Sequence, residues 1–485
     1  MAAAETARPL TARSALELAH AIRTQEVSAR DVVEAHIALL ERVAPRINAI
    51  AMDRFDSARS EADAADRRIA AATDEAQLAP LLGVPFTVKE SIAVSGMPSA
   101  AGLTARRDYR SPANAPVVER LLGAGAIPLG VTNTAELTLW IESNNPLYGR
   151  TSNAYDPTRT AGGSSGGEGA AVGSGGSPFG LASDIGGSIR IPAHFNGVFG
   201  HKPSTGVVPN TGMYPPSDGA AGRMLGVGPI ARRAEDLMPL LRLIAGPDGV
   251  DPFAHETALG DPAEVSIEGM TVVTVEGSAL MELSRELRDA RERAVGALIA
   301  SGARLRRVTL RSWRRAILPY VAALQAGSSG STSDLIVDAG AEAPTWRTLL
   351  SRRVPYTVPT RIALAVGLLP ESTDSARRDR LLDEGRRLAD ELIDAIGDGV
   401  LLHPAHPRVA PRHGRTVGRL WLITPTGVFN LAGVPVTQVP LGLSGGGLPL
   451  GVQVAAGIGK DHVSIAVALA LERAFGGWVP PPGGV

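Results

Sequence analysis

The side chains of this chain with the clearest potential for chemistry lie in a segment rich in glycine and serine, AGGSSGGEGAAVGSGGSPFGLASDIGGSIRIPAHFNGVFGHKPSTG (residues 161–206). Its glycines are interleaved with apolar residues such as Phe179, Leu181 and Ile189, which flexible linkers lack. Glycine at this density permits tight turns and close backbone packing. A serine hydroxyl in such a turn is a candidate nucleophile when a base lies within hydrogen-bond reach. We therefore expect the functional site in this segment.

Three established motifs fit this segment poorly. A P-loop ends in Gly-Lys-Ser/Thr so that an ammonium meets the phosphates, but no lysine occurs between Lys89 and Lys202. The glycine spacing also departs from the dinucleotide-binding fingerprint. The nucleophile elbow G-x-S-x-G matches formally at residues 162–166, but the preceding YDPTRTA contains Pro157 and is a poor strand. In a segment this rich in both residues, that match carries little information.

A site made of two serines and a lysine fits better. The blocks GGSSGGEGA and DIGGSIRIPA, together with the upstream LGVPFTVKES, resemble the amidase signature family. The resemblance continues through TNTAELTLWIESNNPLYGRTSNAYDP to FNLAGVPVTQVPLG and LPLGVQVAAG, so it spans most of the chain. In its motifs the chain is most similar to stand-alone amidases of the fatty-acid-amide-hydrolase type.

The resemblance implies a role for each matching residue. Ser188 corresponds to the acylated nucleophile, Ser164 to the bridging serine and Lys89 to the ultimate base. Thr138 falls where members of the fatty-acid-amide branch contact the substrate through the main chain. The resemblance implies neither a cofactor nor a metal. The main-chain N–H groups that it implies as oxyanion donors belong to Ile185, Gly186, Gly187 and Ser188.

Elementary chemistry supports a lysine in this role. Lysine accepts a proton only when it is neutral, so its pKa must fall from about 10.4 toward 7, a shift worth roughly 4 kcal/mol. Burial on the apolar strand at residues 84–88 would supply the desolvation, and Glu90 would face the opposite side by strand alternation. Ser164 would relay the proton and return one to the leaving amine, which departs only after protonation.

The neighbouring polar residues are expected to support the site rather than react. Asp184 and Arg190 flank the nucleophile and could orient its loop as an ion pair. For Ser165 a hydrogen bond within the site and an ordinary turn role are equally compatible with the sequence. Further residues are expected to pack, cap or turn: His194, His201, Glu136, Glu142, Asn144 and Asn145. His403 and His406 lack the third ligand that a catalytic metal site requires.

Composition excludes several classes of protein. The 485 residues carry 48 basic and 49 acidic side chains, without the positive excess of a nucleic-acid binder. The absence of cysteine excludes thiol catalysis and disulfide scaffolds. We find neither a signal-peptide pattern nor an apolar run of about 18 residues, so the expectation is a cytoplasmic protein without a membrane span.

The alternation of apolar strands and amphipathic helices predicts the architecture. We expect one α/β domain over residues 1–485, with a mixed β-sheet covered by helices on both faces, the amidase signature fold. Within it we expect a helical segment at residues 1–80, a catalytic core at 81–230 and a variable, substrate-shaping insertion at 311–370. Further strands are predicted at MTVVTVEG, RLRRVTL and VLLHPAHP, followed by a hairpin and a final helix.

The expected substrate is a small-molecule carboxamide, anilide or hydrazide with an apolar acyl group, because Ile185 and Ile191 flank the GGS block. Two alternatives remain open. One is a glutaminase subunit of a tRNA-dependent amidotransferase, which needs partner chains. The other is a catalytically silent binding protein with the same fold. The sequence is compatible with a homodimer.

Overall fold

The computed structural model describes residues 8–217, 219–276, 282–326, 331–351, 354–368 and 375–482. Most strands belong to one sheet: β1 (Ile50–Asp53), β2 (Pro85–Lys89), β3 (Ile127–Thr132), β4 (Phe179–Asp184), β5 (Phe199–Lys202), β6 (Gly226–Ala231), β7 (Thr271–Val275), β8 (Arg304–Val308), β9 (Val400–His403), β10 (Val436–Leu443) and β11 (Pro449–Ala456). Residues Asn144–Asn145 and Gly149–Arg150 form a separate short hairpin.

The helices surround this sheet. They are α1 (Ala15–Arg23), α2 (Ala29–Ile47), α3 (Phe55–Ala71), α4 (Pro116–Gly123), α5 (Gly166–Gly173), α6 (Arg190–Phe195), α7 (Gly219–Met224), α8 (Leu237–Ile244), α9 (Arg285–Ala300), α10 (Ile317–Ala326), α11 (Thr332–Asp338), α12 (Trp346–Leu350), α13 (Val358–Gly367), α14 (Ser375–Ile396), α15 (Thr424–Leu431) and α16 (Asp461–Phe475). Short 3₁₀ helices occur at Leu10–Ala12, Glu75–Gln77, Thr104–Arg106, Glu136–Thr138, Ala234–Asp236, Pro262–Glu264, Arg311–Arg315 and Leu420–Ile423.

The described residues form one mixed sheet of 11 strands in the order β1-β3-β2-β4-β6-β5-β10-β11-β9-β7-β8. Strands β3, β2 and β4 run parallel to one another, as do β9, β7 and β8. The remaining neighbours, including the hairpin of β10 and β11, are antiparallel. The predicted single domain with a mixed sheet is confirmed.

Helices cover both faces of the sheet, and the alternation of side chains along a strand shows how. In β9, Val400 and Leu402 belong to the buried cluster that contains Ile465 of α16. Leu401, between them, belongs to the cluster that contains Leu392 of α14. Such a strand is apolar on both sides, as expected for a sheet that is buried between two helical layers.

Several elements differ from their sequence-based expectation. Residues 1–80 also contain β1, a short edge strand that owes its conformation to pairing with β3. The side chain of Ser28 caps α2 by accepting a hydrogen bond from Asp31 N, and the helix continues through Pro45 to Ile47. Strands β4, β5 and β6 lie within or just after the glycine-rich segment. Because their small residues have little β propensity, these strands depend on pairing with neighbouring strands for their extended conformation.

The three parallel strands β3, β2 and β4 bring polar residues to one edge of the sheet. Lys89, the last residue of β2, pairs in register with Thr132, the last residue of β3. Asp184 ends β4, the other parallel neighbour of β2. Carboxyl ends of parallel strands open onto the same side of a sheet, which is where ligands bind in open α/β sheets.

Within the described ranges, every helix is too short or too polar to cross a membrane.

The packing of β2 against β4 is open to a direct test. Phe86 and Phe179 are buried, and their rings stack with centroids 5.3 Å apart. Replacing Phe86 by Ala leaves a cavity beneath the site, so we expect Phe86→Ala to lower the free energy of unfolding by about 3–5 kcal/mol in equilibrium urea denaturation. The matched control is Val250→Ala, since Val250 is 69% exposed and should change the free energy by less than about 0.5 kcal/mol. Equal effects of the two substitutions would contradict this packing.

Candidate active site

Lys89 places an amine in the interior, at the end of a strand that is buried along its whole length. The residue has no solvent exposure. Its Nζ lies 2.7 Å from Ser164 Oγ and 3.0 Å from Ser183 Oγ. The structure thus brings the lysine and the expected bridging serine into direct hydrogen-bond contact.

The environment of Lys89 favours the neutral amine. Burial removes water from the ammonium form and lowers the pKa of Lys89 to about 7, against the opposing charges of Asp184, Glu168 and Glu90. Its hydrogen-bond partners are hydroxyl groups, which compensate a charge less than a carboxylate does. Near neutral pH, a large fraction of these amines therefore has a lone pair available to accept a proton.

A buried carboxyl group that the sequence did not single out lies on the same side of the sheet. Glu168 of α5 accepts hydrogen bonds from Thr87 Oγ1 at 2.6 Å and from Thr132 Oγ1 at 2.8 Å, which ties β2 to β3 beside Lys89. Burial raises the pKa of Glu168 to about 8. Gly180 of β4 makes room for this carboxyl, because a Cβ there would overlap Glu168. No periodicity in the GGEGA block signals this contact.

Ser164 is held by its main-chain carbonyl. That oxygen accepts hydrogen bonds from Ala135 N at 3.1 Å, Thr134 Oγ1 at 2.9 Å and Ser143 Oγ at 2.8 Å. Ser143 Oγ also accepts from Gly166 N at 2.8 Å, at the start of α5. The peptide bond before Ser164 is cis. The carbonyl is therefore anchored on one side, while the hydroxyl faces Lys89.

Ser183 is a second residue that sequence analysis missed. Its hydroxyl contacts Lys89 and its carbonyl accepts a hydrogen bond from Ser165 Oγ at 3.3 Å. Ser183 lies in β4, so one strand contacts the lysine, the Ser164–Ser165 turn and, through Asp184, the loop of the expected nucleophile. The sequence FGLASD, if interpreted as a strand that ends at the site, would have identified Ser183 as a site residue.

Asp184 and Arg190 form a fully buried ion pair at the expected nucleophile loop. Arg190 donates to Oδ1 and Oδ2 of Asp184, each at 2.9 Å. Asp184 also accepts from Gly187 N at 2.7 Å and Ile189 N at 3.1 Å. Burial opposes ionisation of Asp184, but Arg190 and a hydrogen bond from Asn430 hold the pKa of this carboxyl well below its usual range. The expected orienting ion pair is present.

The main-chain N–H groups of the expected oxyanion loop differ from one another. The Gly187 N–H donates to Asp184, so this group is occupied, which differs from the expectation that all four groups face the oxyanion. Within the described part of the chain, the N–H groups of Ile185, Gly186 and Ser188 make no such bond. The Gly187 N–H points toward Asp184 because a buried carboxylate requires hydrogen-bond donors.

Ser188 lies at the outer end of this arrangement. It is 8% exposed, whereas Lys89 and Ser164 have no exposure. The structure shows no hydrogen bond between Ser164 and Ser188 in the described residues. Catalytic hydrogen bonds are often long in a free enzyme and tighten in the substrate complex.

The loop that carries Thr138 is strained and braced by Glu90. Leu137 and Thr138 both have left-handed backbone angles, with φ of 52° and 57°. Leu137 N donates to Ala101 O at 2.7 Å, and Ala101 N donates to Glu90 Oε2 at 2.8 Å. Glu90, the residue that follows β2, therefore supports this loop. The structure places Thr138, half-buried, three residues beyond the Ala135 N–H that binds Ser164.

The remaining acidic and amide residues have structural roles. Glu136 accepts hydrogen bonds from the main chain and hydroxyl of Thr357, at 2.7 and 2.8 Å. Glu142 accepts from Thr416 N at 3.2 Å. Asn145 donates to the carbonyl of Thr134 at 2.8 Å. Glu136 and Glu142 thus connect segments that lie 221 and 274 positions apart, which differs from the capping or turn roles expected for them.

In the described residues, neither Ser164 nor Ser188 has a histidine as a hydrogen-bond partner; the serine–histidine contact that occurs joins Ser152 and His413, at 3.4 Å. Burial lowers the pKa of His194 to about 3 and the pKa values of His403 and His406 to about 4, which keeps these rings neutral. Phe195 packs against both His194 and His406. The described residues also contain no group of three histidine, aspartate or glutamate side chains that could hold a metal ion.

His201 is fully buried, in agreement with the packing role expected for it. It also contacts an aspartate that is distant in sequence: Asp461 Oδ1 lies 3.1 Å from His201 Nε2. The other ring nitrogen, Nδ1, lies 2.9 Å from Thr437 Oγ1. Because both nitrogens have partners, and because 260 residues separate the pair in sequence, this contact is a buried link between β5 and α16.

Comparison with known proteins places this geometry in a family. A family model described as Amidase matches residues 31–464. The chain is 42% identical to fatty-acid amide hydrolase 2-B of Danio rerio, over 98% of this chain and 91% of the relative. It is 31% identical to one subunit of the glutamyl-tRNA(Gln) amidotransferase of Synechococcus sp. (strain CC9605), over 93% of this chain and 94% of the relative. The solved structure of a bacterial aryl acylamidase belonging to the amidase signature enzymes covers 98% of both chains, with a TM-score of 0.79 and 25% identity. This chain belongs to the amidase signature family.

Proposed function

We propose that this amidohydrolase cleaves the C–N bond of a carboxamide, anilide or hydrazide through an acyl-enzyme on Ser188, with Ser164 and Lys89 as its proton relay. Hydrolysis of amide bonds follows from the family. The observation that carries the mechanism is the buried Lys89 amine, 2.7 Å from the Ser164 hydroxyl.

Acylation begins with the transfer of two protons. As Ser188 Oγ attacks the amide carbonyl, its proton passes to Ser164 Oγ, and the proton of Ser164 passes to Lys89 Nζ. The carbonyl carbon becomes tetrahedral and its oxygen becomes negative. The free N–H groups of Ile185, Gly186 and Ser188 are the donors that we assign to this oxyanion, each worth roughly 10²–10³ in rate if well aimed.

The intermediate collapses when the leaving nitrogen receives a proton. Lys89 returns its proton through Ser164 to that nitrogen, the C–N bond breaks, and the amine departs while the acyl group stays on Ser188. Water then attacks the ester and loses its proton to the same relay. The tetrahedral intermediate releases Ser188, which regains a proton, and the carboxylic acid leaves.

The acyl group of the substrate is proposed to be apolar, but only one of the two isoleucines on which the sequence-based argument rested can support this proposal. Ile191 is fully buried in a cluster with Ile141 and Phe195, so it packs in the interior and is not available to the substrate. Ile185 is partly buried and packs against the cluster of Met224 and Tyr320. The remaining support comes from the relatives, since the fatty-acid amide hydrolase is more similar to this chain than the amidotransferase is.

The two alternatives have less support. The glutaminase alternative is supported by the amidotransferase subunit, which is 31% identical to this chain. The fatty-acid amide hydrolase is 42% identical to it. A silent binding protein is disfavoured because Lys89 and Ser164 keep a buried contact that binding alone does not require. A homodimer and a cytoplasmic location remain predictions from the sequence.

Ser188→Ala tests the nucleophile. We expect kcat for a nitroanilide to fall by a factor on the order of 10⁴–10⁶, and covalent labelling by a fluorophosphonate to disappear. The matched control is Ser174→Ala, because Ser174 is also buried but its hydroxyl donates to Ala171 O at the end of α5. Labelling that persists in Ser188→Ala would show that another residue is the nucleophile.

The pH profile tests the base. With the pKa of Lys89 at about 7, the ammonium form predominates below that pH and cannot accept a proton. We therefore expect kcat/KM to fall about tenfold per pH unit below about pH 7 and to level off above it. Lys89→Met should abolish turnover, whereas Lys460→Met should keep the wild-type profile. A flat profile between about pH 5 and about pH 8 is the result that rules out this base.

A series of acyl anilides tests the substrate class. Each methylene that packs against an apolar wall contributes up to about 0.8 kcal/mol, or about fourfold in kcat/KM. We expect kcat/KM to rise from acetyl to octanoyl anilide, and glutamine to be a poor substrate. Rapid hydrolysis of glutamine with no chain-length effect would instead favour the glutaminase.

A further inference from the structure

Two hydroxyl groups from distant parts of the chain bind successive carbonyls of the oxyanion loop. Tyr320 of α10 donates its phenol proton to Ile185 O at 3.0 Å. Thr426 of α15 donates to Gly186 O at 2.5 Å. Helix α10 lies in the segment that we expected to be a variable, substrate-shaping insertion, so this segment also contacts the catalytic loop.

The planarity of the peptide bond gives these contacts a consequence. In a trans peptide the carbonyl of one residue and the N–H of the next point in opposite directions. Binding of Ile185 O by Tyr320 therefore directs the Gly186 N–H away from α10. Binding of Gly186 O by Thr426 directs the Gly187 N–H away from α15, and that N–H meets Asp184 Oδ1 at 2.7 Å.

The two peptide groups consequently have different roles. The peptide that joins Gly186 and Gly187 is held at both ends, by Thr426 and by Asp184. Among the described residues, the peptide that joins Ile185 and Gly186 has a partner at its carbonyl only, so the Gly186 N–H is available to a ligand. Tyr320 thus restrains the peptide that carries this available N–H.

The glycines of the GGS block make room for the two hydroxyl groups. A Cβ at Gly186 would overlap the Tyr320 phenol, and a Cβ at Gly187 would overlap the Thr426 side chain. Gly427 of α15 similarly leaves space for the Tyr320 ring, since a Cβ there would lie 3.1 Å from ring carbons. The ring occupies a slot between Gly186 and Gly427, which restricts the position of its hydroxyl.

Tyr320 is firmly placed. It is 4% exposed and packs against Met224 and Ala323, with Leu431 at the edge of this cluster. Burial and the negative charge of Asp184 raise the pKa of Tyr320, so the phenol keeps its proton across the neutral range. A neutral phenol that is locked by packing is a rigid hydrogen-bond donor.

We propose that Tyr320 is a positioning residue for the oxyanion site, which holds the Ile185–Gly186 peptide so that the Gly186 N–H is aimed at the developing oxyanion. The proposal rests on the acyl-enzyme mechanism proposed above. It assigns to the segment at residues 311–370 a part in transition-state stabilisation, in addition to any contact with the substrate.

Tyr320→Phe tests this proposal because it removes the hydroxyl and keeps the ring in its slot. We expect kcat for an anilide to fall about 10- to 100-fold, less than for complete removal of an oxyanion donor, with KM unchanged within about twofold. A trifluoromethyl ketone with the same acyl group forms a tetrahedral adduct with an oxyanion. Its inhibition constant should rise by the same factor by which kcat/KM falls. The midpoint of the pH profile should stay near that of the wild type, because Lys89 is untouched.

Tyr155→Phe is the matched control. Tyr155 is also buried, and its hydroxyl also donates to a main-chain carbonyl, that of Val479, in a separate cluster with Ala154 and Leu448. We expect this variant to keep wild-type kcat and wild-type affinity for the ketone. The inhibition constant of the ketone and KM do not depend on the amount of active enzyme. A loss of stability in either variant therefore cannot produce the expected rise in the inhibition constant.

The outcomes separate this inference from the proposed mechanism. If fluorophosphonate labels Ser188 in the wild type but Tyr320→Phe behaves like Tyr155→Phe, the positioning role is overturned and the acyl-enzyme stands. An equal loss of ketone binding and substrate binding, with kcat unchanged, would also overturn it by assigning Tyr320 to substrate binding. If Ser188 is not labelled in the wild type, both proposals are wrong.

Discussion

The exclusion of water from the carboxyl ends of β2, β3 and β4 is the constraint on which the rest of the site depends. An ammonium in water would hold its proton at neutral pH and could not act as a base. Lowering the pKa of Lys89 from 10.5 to about 7 corresponds to roughly 4–5 kcal/mol of disfavoured charge. Packing of the sheet between two helical layers maintains this unfavourable environment. A large fold is therefore needed around a few reacting atoms, because the helical layers keep the lysine buried.

Two buried basic residues of the site, Arg190 and Lys89, differ in their hydrogen-bond partners. Arg190 meets the Asp184 carboxylate at 2.9 Å and binds it through two nitrogens, so its charge is compensated where it lies. Lys89 makes its hydrogen bonds to the hydroxyls of Ser164 and Ser183. Arginine with a carboxylate forms a fixed anchor for the nucleophile loop, whereas lysine with hydroxyls forms a group that can exchange a proton.

Two residues in the described part of the segment at residues 311–370 form hydrogen bonds at the site. Tyr320 binds the oxyanion loop through Ile185 O, and Thr357, the N-cap residue of α13, donates to Glu136 next to Thr138. These contacts connect the segment that we expected to be variable to the loops that carry the predicted site residues. A change in this segment can therefore alter the geometry of the reacting groups as well as the fit of a substrate.

The sequence by itself determined the family and the α/β class, and it predicted Lys89, Ser164 and Ser188 as the principal site residues, because these three lie in continuous motifs with local signatures. Through periodicity it also indicated the apolar strands and some of the helices, such as the final helix α16. Only the tertiary structure decided which partners these groups meet. The Lys89–Ser183, Thr87–Glu168 and Tyr320–Ile185 contacts join residues 81 to 135 positions apart, and no local pattern encodes such pairings. The strands of the glycine-rich segment and the inward turn of the Gly187 N–H likewise follow from neighbours that fold around them, because small residues have little conformational preference of their own.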